Sequence, residues 1–240
     1  MACFKEILVN GTQEEGLMAT FPICLYSAEE EEEGGGAGFP VVESTSTDDF
    51  STFNPYVITI PSGVVIGDLL LVVLSTDGSA IVSIDSGTNW TIEGNATQDT
   101  DVTGTVVWKI ADGSDALTMD VTGDERGSAI SFRISGAVDV DVSSADAVSP
   151  NADPPDHTPS GGVKNYLWIV YTAINDEVVV SAAPTDYTDL ITEAPTTGGG
   201  NASAAVARRE LNASSENPGT FTNVQREWVA FTIAVSPPGG

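Results

Sequence analysis

Hydrophobic and polar residues alternate, or run in short blocks between turn signals, along most of the chain after residue 50. The longest apolar block, residues 67–74, lies between a Pro-Ser-Gly turn and an Asp-Gly turn, which is typical of a strand buried on both faces. Residues 166–172 form a second such block. No stretch keeps a 3.6-residue period, and Val, Ile and Thr are abundant. The pattern predicts an all-β chain of about ten to twelve strands in an antiparallel, jelly-roll-like β-sandwich.

Alternation assigns faces to several of these strands. In residues 102–110 the apolar positions alternate with Thr103, Thr105 and Lys109, which predicts a half-buried strand with Lys109 on the solvent side. Residues 130–134 and 229–235 alternate in the same way. By contrast, residues 144–162 contain four prolines and no apolar pattern, and we expect a surface connector there.

The two halves of the pattern echo one another at nearly constant spacing. Four pairs of apolar landmarks are separated by 97, 97, 99 and 99 residues, namely Leu69 and Tyr166, Trp90 and Tyr187, Phe132 and Phe231, and Ile134 and Ile233. A duplicated unit of four to five strands would explain this spacing. Coincidence among similar strands is the alternative, and the sequence leaves both open.

The beginning of the chain has a different composition. Residues 1–28 hold two short apolar runs, and five consecutive glutamates followed by a glycine-rich run come next. We therefore predict a docking arm at residues 1–28, an acidic, Gly-rich linker at residues 29–49 and the sandwich at residues 50–240. The arm's apolar side chains need a partner, such as a sheet edge to which the arm adds a strand. The predicted docking residues are Phe4, Ile7, Leu8, Val9, Phe21, Ile23, Leu25 and Tyr26.

Charge restricts the class of partner. The chain carries 35 Asp and Glu against 8 Lys and Arg, a formal net charge of −27, which repels nucleic acid and anionic membranes. We expect this acidity to serve solubility, with a face for a basic partner or divalent cations as the alternative. Cys3 and Cys24 are too few for a disulfide framework and are expected to be free thiols. No signal-like or membrane-spanning apolar run is found, so we expect synthesis in the cytoplasm.

Catalytic and metal-binding patterns are scarce. His157 is the only histidine and lies among prolines, and no Gly-x-Ser-x-Gly motif accompanies it. Asp-rich turns at residues 112–115 and 139–141 offer oxygen ligands for calcium but match no EF-hand. We predict no catalytic, cofactor-binding or metal residue, no cofactor and no enzymatic activity. Trp90, Trp168 and Trp228 sit in strand patterns and are assigned to the core.

Several of these segments together resemble a β-sandwich region that recurs in virion structural proteins of tailed bacteriophages and in marine metagenomic phage sequences. The resemblance covers about residues 54–236 and rests on the following stretches: ITIPSG at 58–63, GDLLL at 67–71, NWT at 89–91, WKIADG at 108–113, PPDHTP at 154–159 and WVAFTI at 228–233.

The resemblance implies a structural protein displayed on a virus particle. The expected function is a non-enzymatic capsid decoration, or cement, protein that is anchored through its N-terminal arm and stabilises or decorates the shell. Its implied partners are the major capsid protein and sister protomers, with a homotrimer favoured. A tail-fibre or receptor-binding component for host adsorption is the first alternative. A carbohydrate-active enzyme with paired carboxylates is the second.

Overall fold

The computed structural model describes residues 38–51, 54–123, 125–195 and 200–239. The described residues all belong to one compact unit, Gly35–Gly240. Those residues contain only strands and connections, which confirms the predicted all-β class. The strands are β1 (Val41–Phe50), β2 (Tyr56–Ile58), β3 (Leu69–Asp77), β4 (Val82–Ser86), β5 (Thr91–Gln98), β6 (Val102–Ile110), β7 (Leu117–Val121), β8 (Gly127–Ser135), β9 (Asp139–Ser149), β10 (Lys164–Asn175), β11 (Thr188–Glu193), β12 (Ala202–Ala213) and β13 (Arg226–Ser236).

Every strand pair is antiparallel, and the strands form three sheets. The first sheet has the order β1-β8-β3-β6-β5, the second has the order β11-β12-β10-β13-β9, and a three-stranded cover sheet has the order β2-β7-β4. Because β3 and β10 are apolar on both faces, each occupies the centre of its sheet. The predicted antiparallel β-sandwich is thereby confirmed.

The two five-stranded sheets have the same internal order. Matching β1 with β9, β3 with β10, β5 with β11, β6 with β12 and β8 with β13 turns one strand order into the other. The repeat expected from spacing is therefore present at the level of strands. One landmark pair is wrong in register, because Leu69 faces the inner core whereas Tyr166 faces outward. Jelly-roll connectivity is not confirmed, since each five-stranded sheet comes from one continuous half of the chain.

Apolar side chains cover both faces of both sheets. The inner core lies between the sheets and includes Leu71, Phe132, Tyr171 and Phe231. The opposite face of β3 packs against the cover sheet. On the outer face of the second sheet, a third cluster contains Trp168 and Phe221, and short bridges between residues 157 and 216 and between residues 182 and 222 take the place of a cover sheet. Each buried apolar side chain in these layers contributes about 1.5–3 kcal/mol relative to exposure.

Both ends of the sandwich chain lie at the same end of the fold. Val41 pairs with Ser135 at the start of β1, and Val138 N donates to Ser236 O at the end of β13. The short turn from β8 to β9 joins these two places. We call this end the entry end.

The strand limits correct two predicted segment boundaries, the end of the linker and the start of the surface connector. β1 occupies Val41–Phe50, inside the predicted linker 29–49, so the sandwich begins at residue 41 rather than 50. This strand is polar and acidic, and its residues alternate between exposed and half-buried, so it has no apolar signature. Likewise β9 continues to Ser149, inside the predicted connector 144–162. The predicted arm 1–28 and its eight docking residues lie outside the described residues.

The prediction that Lys109 lies on the solvent side of β6 is wrong. The ladder of β6 buries Lys109 to 1% exposure, while Ile110 is 36% exposed. β6 is covered on one face by the inner core and on the other by the cluster beneath the cover sheet, so alternation of polar and apolar residues did not separate a solvent face from a core face. The predicted half-buried strand is therefore wrong at this position.

Candidate functional site

The sandwich has two long sides, and they close differently. On one side β5 packs against β9, and two glycines permit close contact between the sheets. A Cβ on Gly94 would lie 3.0 Å from both Phe231 and Val142, and a Cβ on Gly104 would lie 2.7 Å from Phe231. Because neither position carries a side chain, the phenyl ring of Phe231 fills the space between the sheets and this side is sealed.

The other side is open. Here β1, the edge of the first sheet, lies beside β11, the edge of the second, and no glycine occurs within β11. A cavity of about 240 Å³ remains between them. Its apolar lining comes from Val42, Phe132, Ile191 and Val206. We call this cavity and the two flanking strands the edge groove.

A second cavity of about 350 Å³ continues along β11 toward residues 186 and 210. The two cavities share Asp189 and Arg208, whose Oδ2 and Nε atoms are 2.8 Å apart. A β-bulge between Thr188 and Ile191 and a φ of +54° at Asp189 bring this carboxylate to the groove side. The ion pair thus separates an apolar compartment from a polar one.

The polar compartment is backed by a buried network. Arg209 Nη1 lies 3.0 Å from Glu216 Oε1, and Tyr187 Oη donates to the same oxygen at 3.3 Å. Burial, followed by the Glu216 charge, raises the pKa of Tyr187 above its usual value. The phenol therefore stays protonated and holds Glu216 in place.

Strand edges add a second recognition element to the groove. Among the residues that the structure describes, β1 and β11 each pair with a neighbouring strand on one side only. The outward N–H and C=O groups of such an edge can bind an extended segment by strand addition. An apolar pocket beside two such strand edges is suited to a peptide strand that carries alternating apolar side chains.

His157 lies elsewhere, on the outer face of the second sheet. Its side chain is 7% exposed, and its ring meets Trp168 edge-to-face at 6.1 Å between centroids. Nε2 is 3.4 Å from Asp141 Oδ1, a charge contact without hydrogen-bond geometry. Burial lowers the pKa of His157, while the nearby Asp141 carboxylate opposes that shift. The imidazole is therefore neutral at pH 7, and it packs beside Trp168 of β10 and Asp141 of β9.

The carboxylates of the two Asp-rich segments, residues 112–115 and 139–141, contact other groups of the protein. Lys109 Nζ lies 2.8 Å from Asp112 Oδ1 and 3.1 Å from Asp115 Oδ1, beneath the Trp90 ring. Hydrogen bonds from Lys109 and Asn89 hold the pKa of Asp112 well below its usual value. The predicted turn at residues 139–141 is instead the start of β9, where Asp141 Oδ2 accepts a hydrogen bond from Ser160 N at 3.1 Å. Across the described ranges, no group of three or more His, Cys, Asp or Glu is arranged to hold a metal ion.

The predicted placement of three tryptophans is confirmed. Trp90, Trp168 and Trp228 are 8%, 0% and 4% exposed. The shallow, exposed aromatic surface expected of a sugar-binding tail component is therefore not made by these three residues.

Sequence reasoning missed the edge groove. Its walls come from the acidic edge strand β1, from Ile191 just after the bulge in β11, and from Phe132 and Val206, which face the inner core like the apolar residues of any buried strand. The only available signal was the contrast between Gly94 in β5 and the glycine-free sequence of β11, and it needs the strand pairing to be read.

Comparison of the chain with protein-family models, with curated proteins and with solved structures finds no match. Within the part of the chain that the structure describes, no helix could cross a membrane.

Proposed function

We propose that this protein is a non-enzymatic structural component of a bacteriophage particle, most specifically a capsid decoration protein that attaches through its N-terminal arm. The observation that carries the proposal is that described residues cover both faces of the two five-stranded sheets. The inner core and two outer clusters bury both faces of both five-stranded sheets. No face of these two sheets therefore needs the apolar residues of the arm to cover it, and those residues are available to bind a partner.

The entry end supports attachment from one direction. Six of the exposed large apolar side chains lie there, at the starts of β1 and β10 and in the connections beside β3, β6 and β9. They are Val41, Val65, Ile66, Ile110, Val138 and Val163. The chain also enters β1 at this end. An arm and an apolar rim on one end suit a module that docks there and projects its remaining surface into solvent.

The acidity of the chain fits a displayed role. A net charge of −27 keeps copies apart in solution and keeps the particle surface from binding nucleic acid. The same charge weakens binding between two copies unless salt screens it or a basic partner neutralises it. A particle surface with basic patches is such a partner.

Particle association tests the proposal. Purified particles of the virus that encodes the chain should contain this protein in a fixed ratio to the major capsid protein, and a reconstruction should place it on the shell. Its presence only on the tail would favour the receptor-binding alternative. Particles without the protein would reject the proposal.

A further inference from the structure

The edge groove lacks a partner strand among the described residues. Phe132 forms its buried floor, and Val42 and Ile191 are partly buried walls. On the sealed side of the sandwich, Val142 and Phe231 meet Gly94 directly. The apolar side chains of the groove are therefore left partly uncovered. On the sealed side, the side chains in the equivalent place are covered by the opposite sheet.

The shape of the groove selects an extended peptide. Four consecutive residues of β1, from position 42 to position 45, line the cavity, and along these residues no described strand pairs with the outer edge of β1. A strand laid along β1 would gain backbone hydrogen bonds and would send every second side chain into the cavity. The best occupant has apolar residues at alternate positions.

The chain itself contains such a segment. In residues 21–26, with the sequence FPICLY, Phe21, Ile23 and Leu25 occupy alternate positions. Pro22 lacks an N–H group, which is tolerated where one side of an added strand stays unpaired. Residues 27–40, 14 in all, lie between this segment and the start of β1 at Val41.

Like charges argue against a tight return of the same chain. A hairpin that turned within the glycine-rich residues 34–38 would set Glu29 and Glu30 opposite Glu43 and Val42. Glutamates would then lie beside the acidic edge of β1 and the apolar segment would pass beyond the cavity. A segment from a second molecule has no such constraint on its register.

We propose that the edge groove receives residues 21–26 of a second copy of this chain, added as an extended strand along β1. The proposal rests on the proposed function in taking the arm as the docking element, and it assigns residues 21–26 of that arm to a neighbouring copy while the first apolar run, residues 4–9, is left for the particle. Because the donor segment and the acceptor groove are different surfaces, each copy can give and receive, and the contacts close into a ring when the rotation permits.

Sedimentation of the full-length chain at low and high salt tests this. The wild type should associate, and more strongly at high salt, because apolar docking remains while repulsion between acidic copies is screened. Ile23→Asp in the arm and Ile191→Asp in the groove should each weaken association by about tenfold or more, since each places a carboxylate at an apolar contact. Thr45→Glu, at an exposed position on the groove rim, should do the same without disturbing the core, because it adds a like charge beside the acidic donor chain. Val224→Asp, at a 61% exposed position, is the matched control and should associate like the wild type.

Mixing separates a second copy from other occupants. Ile23→Asp keeps an intact groove and Ile191→Asp keeps an intact arm, so the mixture should form a one-to-one complex although neither variant associates alone. A monomeric wild type, association unchanged in both variants, or a mixture that stays monomeric would each overturn the proposal. Particle binding by a monomeric wild type would overturn the groove assignment alone, whereas association without particle binding would overturn the proposed function alone.

Discussion

Ser75 Oγ and Tyr171 Oη lie 2.9 Å apart in the inner core and join the central strands of the two halves. Both residues are fully buried, and burial raises the pKa of Tyr171 far above its usual value. β3 and β10 are thus linked by a polar contact between sheet faces that are mostly apolar. A buried hydroxyl pair of this kind stabilises mainly because each group satisfies the other.

This pair gives the first prediction. Tyr171→Phe should lower the free energy of unfolding by about 1–2 kcal/mol, because Ser75 is left without its side-chain partner. Ser75→Ala should cost a similar amount. The double variant should cost less than the sum of the two, as measured by denaturant unfolding in a double-mutant cycle. Strict additivity would show that the two hydroxyls do not interact.

Gly104 controls the distance between the sheets on the sealed side. Gly104→Ala should destabilise the protein by about 1–3 kcal/mol, because its Cβ would lie 2.7 Å from Phe231 and 3.3 Å from Ala173. Gly38→Ala is the matched control, since a Cβ there meets nothing within 4 Å. Phe231→Leu should recover part of the loss when combined with Gly104→Ala. Equal midpoints for the Gly104 and Gly38 variants would contradict the sealed-side packing.

Lys109 should behave as a buried structural cation. Lys109→Met should lower the unfolding midpoint clearly more than Lys164→Met, because it leaves Asp112 and Asp115 without their shared ammonium partner. Lys164 is half-buried at the start of β10 and serves as the control. A Lys109 variant as stable as the Lys164 variant would mean that the ion pairs contribute nothing net.

His157 should make stability depend on pH. Burial lowers its pKa in the folded protein below the unfolded value of about 6.5. The unfolded chain then binds the proton more readily, so stability contributed by the neutral imidazole is complete above about pH 6.5 and is lost as the pH falls toward the folded pKa. Relative to His157→Gln, the wild type should lose unfolding free energy between about pH 7 and pH 5. Parallel stability curves for the two proteins would contradict this.

Strand existence could be predicted from the sequence where strands are apolar on both faces, as in β3 and β10. The prediction failed for β1, because this strand is stabilised by pairing with β8 rather than by burial of its own side chains. The facing of Lys109 failed for a related reason, because an ion pair in the following turn compensates the buried charge. Alternation reports polarity, and it does not report which polar groups find partners inside the fold.

Repeat spacing predicted the equivalence of the halves but not the difference between their sides. Phe132 and Phe231 both point into the inner core, as their spacing suggested. Phe231 packs against glycines, whereas Phe132 faces an open cavity. This difference depends on which edge strands of the two sheets meet, which is a property of sheet packing. The edge groove therefore became visible only in three dimensions.

The central claim is that attachment resides in the arm while the sandwich is a self-sufficient body. Its most direct test compares the full-length chain with a chain lacking residues 1–38, both added to particles of the encoding virus from which this protein has been removed. Circular dichroism and thermal unfolding first establish that the shortened chain is folded. The account predicts saturable binding of the full-length chain and no binding of the shortened chain. Equal occupancy by the two chains would place the interface on the sandwich and contradict the claim.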